Sequence, residues 1–274
     1  MRLHGKVLYF GKGVIMPTKN KQFVFKNLST TEKINAWIQE MEKETRSSYP
    51  LPPPDGELTG ICVDIGSNVG TFLARAATRY QYVYGFEPCL ENYQVATHLM
   101  EHLGHENVSL FHQAVSSESD RTVKLYAHES RISGDVVCSA GFLSDPHYIP
   151  VGQTCDTISL NDIIERIPLS HIDYLKIDAE GSEYEIFQTF KYYNKINTMA
   201  LELHGHPDPA KNDDEEKVKL LEKLSTYFWI LPVDAEFNGT YGVQPFSQFA
   251  RNYEIKDLLK YTNFVFQTRY KYLA

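Results

Sequence analysis

The chain has 274 residues, of which 42% are hydrophobic and 23% are charged, so it can bury a sizeable core in one large domain or two small ones. Its formal net charge of −8 argues against general affinity for nucleic acid or anionic membranes, although a local basic patch is not excluded. No apolar run approaches the roughly 18 residues of a transmembrane helix. The N-terminus lacks the apolar core and cleavage site of a signal peptide. We therefore expect a cytoplasmic protein without a membrane partner.

The cysteine pattern gives no sign of a metal or disulfide framework. The four cysteines form no CxxC pair and match no structural zinc spacing: Cys62, Cys89, Cys138 and Cys155. Such a pattern suits a reducing compartment. Cys62 lies in an apolar, strand-like run, so we interpret it as a small core residue.

The first part of the chain predicts an extension that precedes the main domain. Apolar residues recur at helical spacing within residues 31–45, which predicts one helix. The stretch SSYPLPPPDGELTG, residues 47–60, contains four prolines and two glycines, and this composition is typical of a linker. We place the boundary there. The prediction is an N-terminal extension or cap with one helix at 1–56 and a main domain at 57–274.

Beyond the linker, short apolar runs alternate with helical patterns. The predicted strands are ICVDIG, YVYGFEP, VSLFHQAV, IDYLKIDAE, TMALELH, FWILPV and NFVFQTRY. The predicted helices are TFLARAATRY, LENYQVATHLMEHLG, TISLNDIIERI, SEYEIFQTFKYY and DEEKVKLLEKLSTY. Residues 122–155 instead favour irregular or hairpin structure, with TVKLYA and VVCSAGF as its candidate strands. Alternating strands and helices predict an α/β fold, in which a mostly parallel sheet carries helices on both faces.

A glycine loop, VDIGSNVGTF at residues 63–72, joins the first of these strands to a helix. Gly66 permits a tight turn where a side chain would clash, and Gly70 would let the helix approach the strand. The loop lacks the GxGxxG pattern that cradles a pyrophosphate, so it suits a cofactor without phosphates. Asp64, at the carboxyl end of the strand, could accept hydrogen bonds from an amine or a hydroxyl of that cofactor.

Glu87 lies at the carboxyl end of the second predicted strand. An acid there can bind both hydroxyls of a ribose. Taken singly, Asp64 also fits a turn-capping residue, and Glu87 fits an acid favoured by the dipole of the following helix. Together, at successive strand ends, the two acids favour a nucleoside-binding site.

Four segments resemble the FkbM family of S-adenosylmethionine-dependent methyltransferases over roughly residues 60–205: VDIGSNVGTF, FEP, TISLNDII and IDYLKIDAEGSEYEIF. The segment KIDAEGSE carries the most specific part of the resemblance. The resemblance implies a Rossmann-like class I methyltransferase fold of seven strands in the order 3-2-1-4-5-7-6, with the seventh antiparallel. It also implies S-adenosylmethionine as cofactor and O-methylation, often of sugar or natural-product hydroxyls.

Two departures from the family pattern concern the acceptor or the packing and leave the cofactor loop intact. Asn161 stands where the family more often has Asp, and the helix NYQVATHLMEHLG lacks an asparagine often found near its end. In such a sheet, ligands bind outside the carboxyl ends of the strands where the order reverses. Gln113, Ala114 and Val115 would then flank the adenine. The candidate cofactor-binding residues are Asp64, Gly66, Ser67, Asn68, Gly70, Glu87, Ala114 and Asp178.

Four carboxylates follow the strand IDYLKI: Asp178, Glu180, Glu183 and Glu185. Ser182 and Glu185 fit a capping box, S-x-x-E, at the start of the next helix, and Glu183 fits the acid-favouring first turn of that helix. Asp178 and Glu180 have no such structural explanation. Lys176 points to the same side of the strand as Asp178, and a buried lysine there would need that carboxylate as a partner.

Methyl transfer to a hydroxyl requires an aligned acceptor oxygen and benefits from a general base. Asp178 is our first candidate for base or orienter, and His204, at the end of TMALELH, is the second. Glu202 could orient His204 or meet the substrate, while Glu180 and Lys176 complete the candidate catalytic residues. We predict a site without metal. The alternative is that Asp178, Glu180 and His204 hold Mg²⁺ or Mn²⁺.

The sequence therefore predicts an O-methyltransferase that acts on a sugar, a glycan or a similar small molecule. One alternative is a non-catalytic protein of the same fold that binds a partner. Another is a methyltransferase that acts on protein or nucleic acid; for nucleic acid, the net charge and the DAEG segment, in the place of an NPPY-like motif, argue against it. Acceptor specificity is expected from residues 1–56 and from aromatic residues of two later loops: Phe142, Tyr148, Phe237, Tyr241 and Phe246. The oligomeric state is left open.

Overall fold

The computed structural model describes residues 48–52, 57–128, 148–166, 171–206, 210–233 and 254–269. These ranges exclude the helix predicted within residues 31–45, the candidate strand VVCSAGF at residues 136–142 and the aromatic candidates Phe142, Phe237, Tyr241 and Phe246. The described elements follow one another as β1 (Ile61–Ile65), α1 (Thr71–Ala77), β2 (Tyr82–Phe86), α2 (Leu90–Leu103), β3 (Val108–Phe111), β4 (Ala114–Ser116), β5 (Thr122–His128), β6 (Tyr148–Ser159), α3 (Leu160–Arg166), β7 (Ile172–Ile177), α4 (Glu183–Thr189), β8 (Ile196–Glu202), α5 (Asp213–Ser225), β9 (Phe228–Pro232) and β10 (Asn263–Thr268). Two 3₁₀ turns, Tyr193–Lys195 and Ile255–Leu258, precede β8 and β10.

Seven strands form the central sheet in the order β3-β2-β1-β7-β8-β10-β9. Strand β1 pairs in parallel with β2 and with β7, and β7 pairs in parallel with β8. Strand β10 is antiparallel to both of its neighbours, β8 and β9. The predicted order 3-2-1-4-5-7-6, with an antiparallel seventh strand, is confirmed. The order reverses between β1 and β7, so a ligand of this sheet is expected at their carboxyl ends.

Helices cover both faces of this sheet, as predicted. Side chains of a strand alternate between its two faces. In β1, Ile61, Val63 and Ile65 join one apolar cluster with residues of α4 and α5. Cys62 is fully buried in a second cluster with residues of α1 and α2, which confirms it as a small core residue. No helix in the described part of the chain combines the length and the apolar character needed to cross a membrane.

A second, three-stranded sheet in the order β4-β6-β5 lies beside the first. The hairpin expected within 122–155 is confirmed, because β5 and β6 pair antiparallel. The prediction of a single strand at VSLFHQAV was wrong. The chain leaves the main sheet after β3, and His112 Nε2 lies 2.8 Å from the carbonyl oxygen of Pro88. Strand β4 then pairs with β6 in the second sheet.

Residues 48–52, which the sequence predicts as linker, pack against α1 and β7. Tyr49 is buried in the second apolar cluster. The Tyr174 hydroxyl donates to the carbonyl of Pro50 at 2.8 Å, and Nε of Arg79 donates to the carbonyl of Pro52 at 2.9 Å. The part of the predicted extension before residue 48 lies outside the described residues, so the boundary near residue 57 stays a prediction.

Candidate active site

A cleft opens at the carboxyl ends of β1, β2 and β7, where the strand order reverses. It encloses about 580 Å³, including its open mouth. Its lining comprises Ile65, Gly66, Asn68, Phe86, Glu87, Pro88, Asn92, Ala114, Val115, Asp178, Ala179, Glu180 and Ser182. Five of the predicted cofactor-binding residues therefore line the cleft: Gly66, Asn68, Glu87, Ala114 and Asp178.

The loop after β1 passes directly over the end of β7. Gly66 has a φ of +76°, and the amides of Gly66 and Ser67 both donate to the carbonyl of Phe86, at 3.0 and 3.1 Å. A Cβ atom at Gly66 would lie 1.8 Å from the carbonyl oxygen of Asp178. The tight turn predicted at Gly66 is confirmed, and only glycine fits this position without moving the backbone.

Gly66→Ala is expected to destabilise the protein by roughly 2–5 kcal/mol, because it adds a clash with backbone to the cost of a left-handed conformation. Urea denaturation measures this free energy. Gly104→Ala is the matched control, because Gly104 has a φ of +68° but no atom within 4 Å of an added Cβ. Equal losses in the two variants would contradict the assignment of a steric role to Gly66.

Gly70 has a different neighbour from the one predicted. It has a φ of +88°, and an added Cβ would meet the Cβ of Ala96, in α2, at 3.0 Å. The close approach that Gly70 permits is therefore between the start of α1 and helix α2. The prediction that Gly70 makes room between the helix and the strand was wrong.

Glu87 ties the glycine loop to the end of β2. Its side chain is buried, and its two oxygens accept from the amide of Asn68 at 2.7 Å and the amide of Cys89 at 2.9 Å. Asn68 adopts a left-handed φ of +48°, which places its amide in this contact. Burial raises the pKa of Glu87 to about 7, although the two amide hydrogen bonds oppose this shift. Glu87 thus brings a titratable carboxylate to the cleft.

Asp64 does not line the cleft, contrary to expectation. It is fully buried, and its Oδ1 lies 3.2 Å from Nζ of Lys176. Lys176 also donates to the carbonyl of Gly66 at 2.6 Å and lies 3.5 Å from Oδ2 of Asp178. The expected pairing of Lys176 with Asp178 exists, but Asp64 is the nearer partner. Ser67 is buried too, and its hydroxyl donates to the carbonyl of Asp64 at 3.2 Å.

The Lys176–Asp64 pair is a buried ion pair beneath the glycine loop. Burial lowers the pKa of Lys176, but Asp64 and Asp178 outweigh it and raise that pKa to about 12. Burial raises the pKa of Asp64, and Lys176 opposes the shift. The charges compensate each other at the point where the loop crosses the sheet, so we interpret both residues as supports of the loop.

His204 follows β8 and lies among four carboxylates. Its Nδ1 is 3.0 Å from Oε1 of the fully buried Glu183. Its Nε2 faces the other three: Glu180 at 3.4 Å, Glu202 at 3.8 Å and Asp178 at 3.9 Å. Burial lowers the pKa of His204, but Glu183, Glu180 and Asp178 outweigh it and raise the pKa to about 9. We call His204 and its four carboxylates the His204 cluster.

Glu183 does more than the sequence suggests for an acid in the first turn of a helix. Its oxygens accept from the amides of Ala179 and Gly181, both at 2.9 Å, in addition to contacting His204. Because an ionised carboxylate only accepts, the Nδ1 of His204 carries the proton of that contact. Glu183 therefore fixes both the turn after β7 and the orientation of the imidazole.

The predicted capping box at the start of α4 was wrong. Ser182 makes no capping hydrogen bond through its side chain among the described residues. Glu185 instead accepts from the hydroxyls of Ser116 and Ser117, at 2.6 and 3.1 Å, and so links α4 to the end of β4. Glu183 satisfies the nearby amides in place of the box.

Sequence reasoning missed Tyr49. Its hydroxyl donates to Oδ2 of Asp178 at 2.9 Å and also contacts Oε2 of Glu202. The proline-rich composition around Tyr49 suggested a linker and hid this contact. An aromatic residue within such a stretch was the one signal available.

The alternative of a metal site remains a prediction. One ligand atom from each of Asp178, Glu180 and His204 lies within 4.8 Å of the others. A divalent cation could therefore be held by a ring nitrogen of His204 together with the carboxylates of Asp178 and Glu180. The two uses exclude each other, because Nε2 cannot bind a metal and accept a proton at once.

Comparison with known proteins gives a match over most of this domain. The family model described as the methyltransferase FkbM domain matches residues 64–227. The methyltransferase FkbM of Methylobacillus flagellatus is 12% identical, with a TM-score of 0.44; the match covers 76% of this chain and 43% of that one, so this chain spans less than half of that protein. The SMU.1697c protein of Streptococcus mutans, in complex with SAH, is 11% identical, with a TM-score of 0.40 and coverages of 77% and 90%. StiE O-MT is 12% identical, with a TM-score of 0.44 and coverages of 91% and 82%. No curated protein matches the chain. These TM-scores are too low to say anything about the acceptor.

Proposed function

Since the chain belongs to the FkbM family of methyltransferases and uses S-adenosylmethionine as cofactor, we propose that it methylates a hydroxyl of a sugar, a glycan or a similar polyhydroxylated small molecule. The observation that carries this proposal is the pairing of His204 with the buried carboxylate of Glu183. That pairing suits the removal of a proton from a hydroxyl.

The lining of the cleft suits the cofactor in its charge and in its hydrogen-bond acceptors. None of the described residues that line it is a lysine or an arginine, while Glu87, Asp178 and Glu180 are acids. Such a lining disfavours a ligand rich in phosphates and favours one with hydroxyls and positive charge. We infer that Glu87 binds the ribose hydroxyls and that Ala114 and Val115 contact the adenine. S-adenosylmethionine supplies a methyl group on a positively charged sulfur.

His204 fits the role of general base better than Asp178 does, which reverses our order of candidates. Asp178 Oδ2 already interacts with Tyr49 and Lys176. His204 presents Nε2 to the side of the cluster where Asp178 and Glu180 face the cleft. In the proposed step, Nε2 accepts the proton of the acceptor hydroxyl, and Glu183 stabilises the resulting imidazolium through Nδ1–H. Asp178 and Glu180 then orient the acceptor.

The test is methyl transfer from labelled S-adenosylmethionine to a panel of sugars, with matched deoxysugars that lack single hydroxyls. We expect labelled ether products on at least one polyhydroxylated acceptor, and loss of labelling when the reacting hydroxyl is missing. Transfer to protein or nucleic acid alone would overturn the proposed acceptor class. Binding of the cofactor without transfer to any acceptor would favour a non-catalytic partner-binding protein.

Cofactor affinity is expected to rise about tenfold between pH 6 and pH 8, because the pKa of Glu87 is about 7 and only its ionised form accepts hydrogen bonds at both oxygens. Calorimetric titration with S-adenosylmethionine at several pH values measures this dependence. In Glu87→Gln the affinity should be weak and nearly independent of pH across this interval. A wild-type affinity that stays constant with pH would contradict the proposal that ionisation of Glu87 between pH 6 and pH 8 controls cofactor binding.

A further inference from the structure

Tyr49 reaches the His204 cluster from outside the part of the chain that matches the family. The match begins at residue 64, and Tyr49 belongs to the described stretch at 48–52. Its hydroxyl lies between Asp178, which follows β7, and Glu202, which ends β8. Both carboxylates also lie within 4 Å of Nε2 of His204. Tyr49 therefore contacts two of the four acids around the proposed base.

The position of the Tyr49 ring is fixed by its surroundings. The ring packs edge-to-face against Phe72, with centroids 6.0 Å apart, and Nζ of Lys176 lies 5.1 Å from its centroid. The neighbouring carbonyl of Pro50 accepts from the hydroxyl of Tyr174 at 2.8 Å. Burial and the carboxylates of Asp178 and Glu202 raise the pKa of Tyr49 far above its ordinary value, so it remains a neutral donor at every physiological pH.

A hydroxyl in this position constrains its two acceptors. Each of these two carboxylates is about one quarter exposed, so each has room to rotate if the Tyr49 hydroxyl is removed. The Tyr49 hydroxyl donates to Asp178 and contacts Glu202, and so links the ends of β7 and β8. These two carboxylates face Nε2 of His204, where the proposed acceptor would bind. The hydroxyl also withdraws negative charge from two of the three acids that face Nε2 of His204.

We propose that Tyr49 is a positioning residue for methyl transfer, which holds the carboxylates of Asp178 and Glu202 in the orientation that the acceptor and His204 require. This rests on the proposed function for the reaction, but the effect of the Tyr49 hydroxyl on His204, through Asp178 and Glu202, can be tested without any acceptor. Loss of the hydroxyl leaves the ring in place and removes only the donor. The acids then turn more freely, and their full charge acts on Nε2.

The experiment compares Tyr49→Phe with Tyr174→Phe. The second variant removes a hydroxyl that holds the same stretch of chain, through Pro50, but leaves the Tyr49 hydroxyl intact. Imidazole signals are followed by NMR during a pH titration, and His204 is assigned by its absence in His204→Gln. We expect the midpoint of His204 to rise by about 0.5 pH unit or more in Tyr49→Phe and to stay in place in Tyr174→Phe. An unchanged midpoint in Tyr49→Phe, or equal shifts in both variants, would overturn the proposal.

A kinetic measurement adds the catalytic readout once an acceptor is known. In Tyr49→Phe, kcat should fall by roughly 10- to 100-fold, with the Kd for S-adenosylmethionine within about twofold of wild type. In Tyr174→Phe both values should stay close to wild type. If no acceptor is methylated by the wild type, the proposed function fails while the NMR titration still decides the contact of Tyr49. Equal losses of kcat and of thermal stability in the two variants would assign Tyr49 a structural role only.

Discussion

Replacing His204 by alanine is expected to lower kcat by about 10²- to 10⁴-fold, because the acceptor hydroxyl then loses its general base. The Kd for S-adenosylmethionine should change by less than about threefold, since His204 is not among the residues that line the cleft. Single-turnover transfer of labelled methyl measures the first quantity, and calorimetry measures the second. A variant that keeps more than about one tenth of the wild-type kcat would contradict the assignment of His204 as base.

Glu183→Gln is the matched control for this substitution. Glutamine can still accept a hydrogen bond from Nδ1 of His204 through its oxygen, but it carries no charge to stabilise the imidazolium, and its NH₂ group cannot accept from the amide of Gly181. We expect an intermediate loss of kcat, together with a lower pKa of His204. A chelator provides the second control. If EDTA abolishes wild-type activity and added Mg²⁺ or Mn²⁺ restores it, the assignment of His204 as general base is wrong. The metal site at Asp178, Glu180 and His204 would then be the correct alternative.

The same cluster makes activity and stability respond oppositely to pH. His204 has a pKa raised to about 9 from its ordinary 6.5. Its charged form therefore contributes stability that is fully present below about pH 6.5 and is lost as the pH rises through 9. The base needs the neutral imidazole, so the rate should rise over the same interval. Both slopes should disappear in His204→Ala.

Lys176→Met is expected to destabilise the protein by about 3–5 kcal/mol, because it leaves the fully buried carboxylate of Asp64 without its ion-pair partner. The loss also removes a hydrogen bond to the carbonyl of Gly66. Urea denaturation of the wild type and the variant gives the free energy of unfolding. A change below about 1 kcal/mol would show that the pair does not support the loop.

Two further variants test whether the cost of Lys176→Met comes from leaving a buried charge without its partner. The double variant Asp64→Asn with Lys176→Met removes both charges and should regain a substantial part of the lost stability. Lys191→Met breaks an exposed pair with Glu165, whose Nζ–Oε1 distance is 3.4 Å. Because solvent screens that pair, its loss should leave the free energy of unfolding almost unchanged. Equal costs for Lys176→Met and Lys191→Met would contradict the assigned role of burial.

Sequence periodicity predicted the sheet because its signals are local. Each strand of the central sheet is a short apolar run, and each crossover is an amphipathic segment, so the pattern is visible within a few residues. Parallel strands place their carboxyl ends at one edge. This is why Asp178 and His204, which follow β7 and β8, could be expected to lie close together.

The errors concern contacts between residues distant in the chain. Asp64 and Glu87 gave the same signal, an acid at the end of a strand, but burial separates them: Asp64 faces Lys176 and Glu87 faces the cleft. Glu183 fitted a local helix signal, and only the fold brings it to His204. Tyr49 lay in a stretch rich in proline, and no local pattern indicates which distant carboxylates its hydroxyl contacts.

The contact of Tyr49 with Asp178 and Glu202 has an evolutionary consequence. The cofactor cleft is built from residues within the matched region, 64–227, whereas this hydroxyl comes from the chain before it. If Tyr49 positions Asp178 and Glu202 as proposed, mutations in the leading stretch would alter the acceptor side of the His204 cluster without changing the residues that line the cofactor cleft. Homologues aligned only over the matched region would then share one cofactor pocket while their substrate ranges diverge, and exchange of the leading stretch between two such homologues would transfer part of that difference.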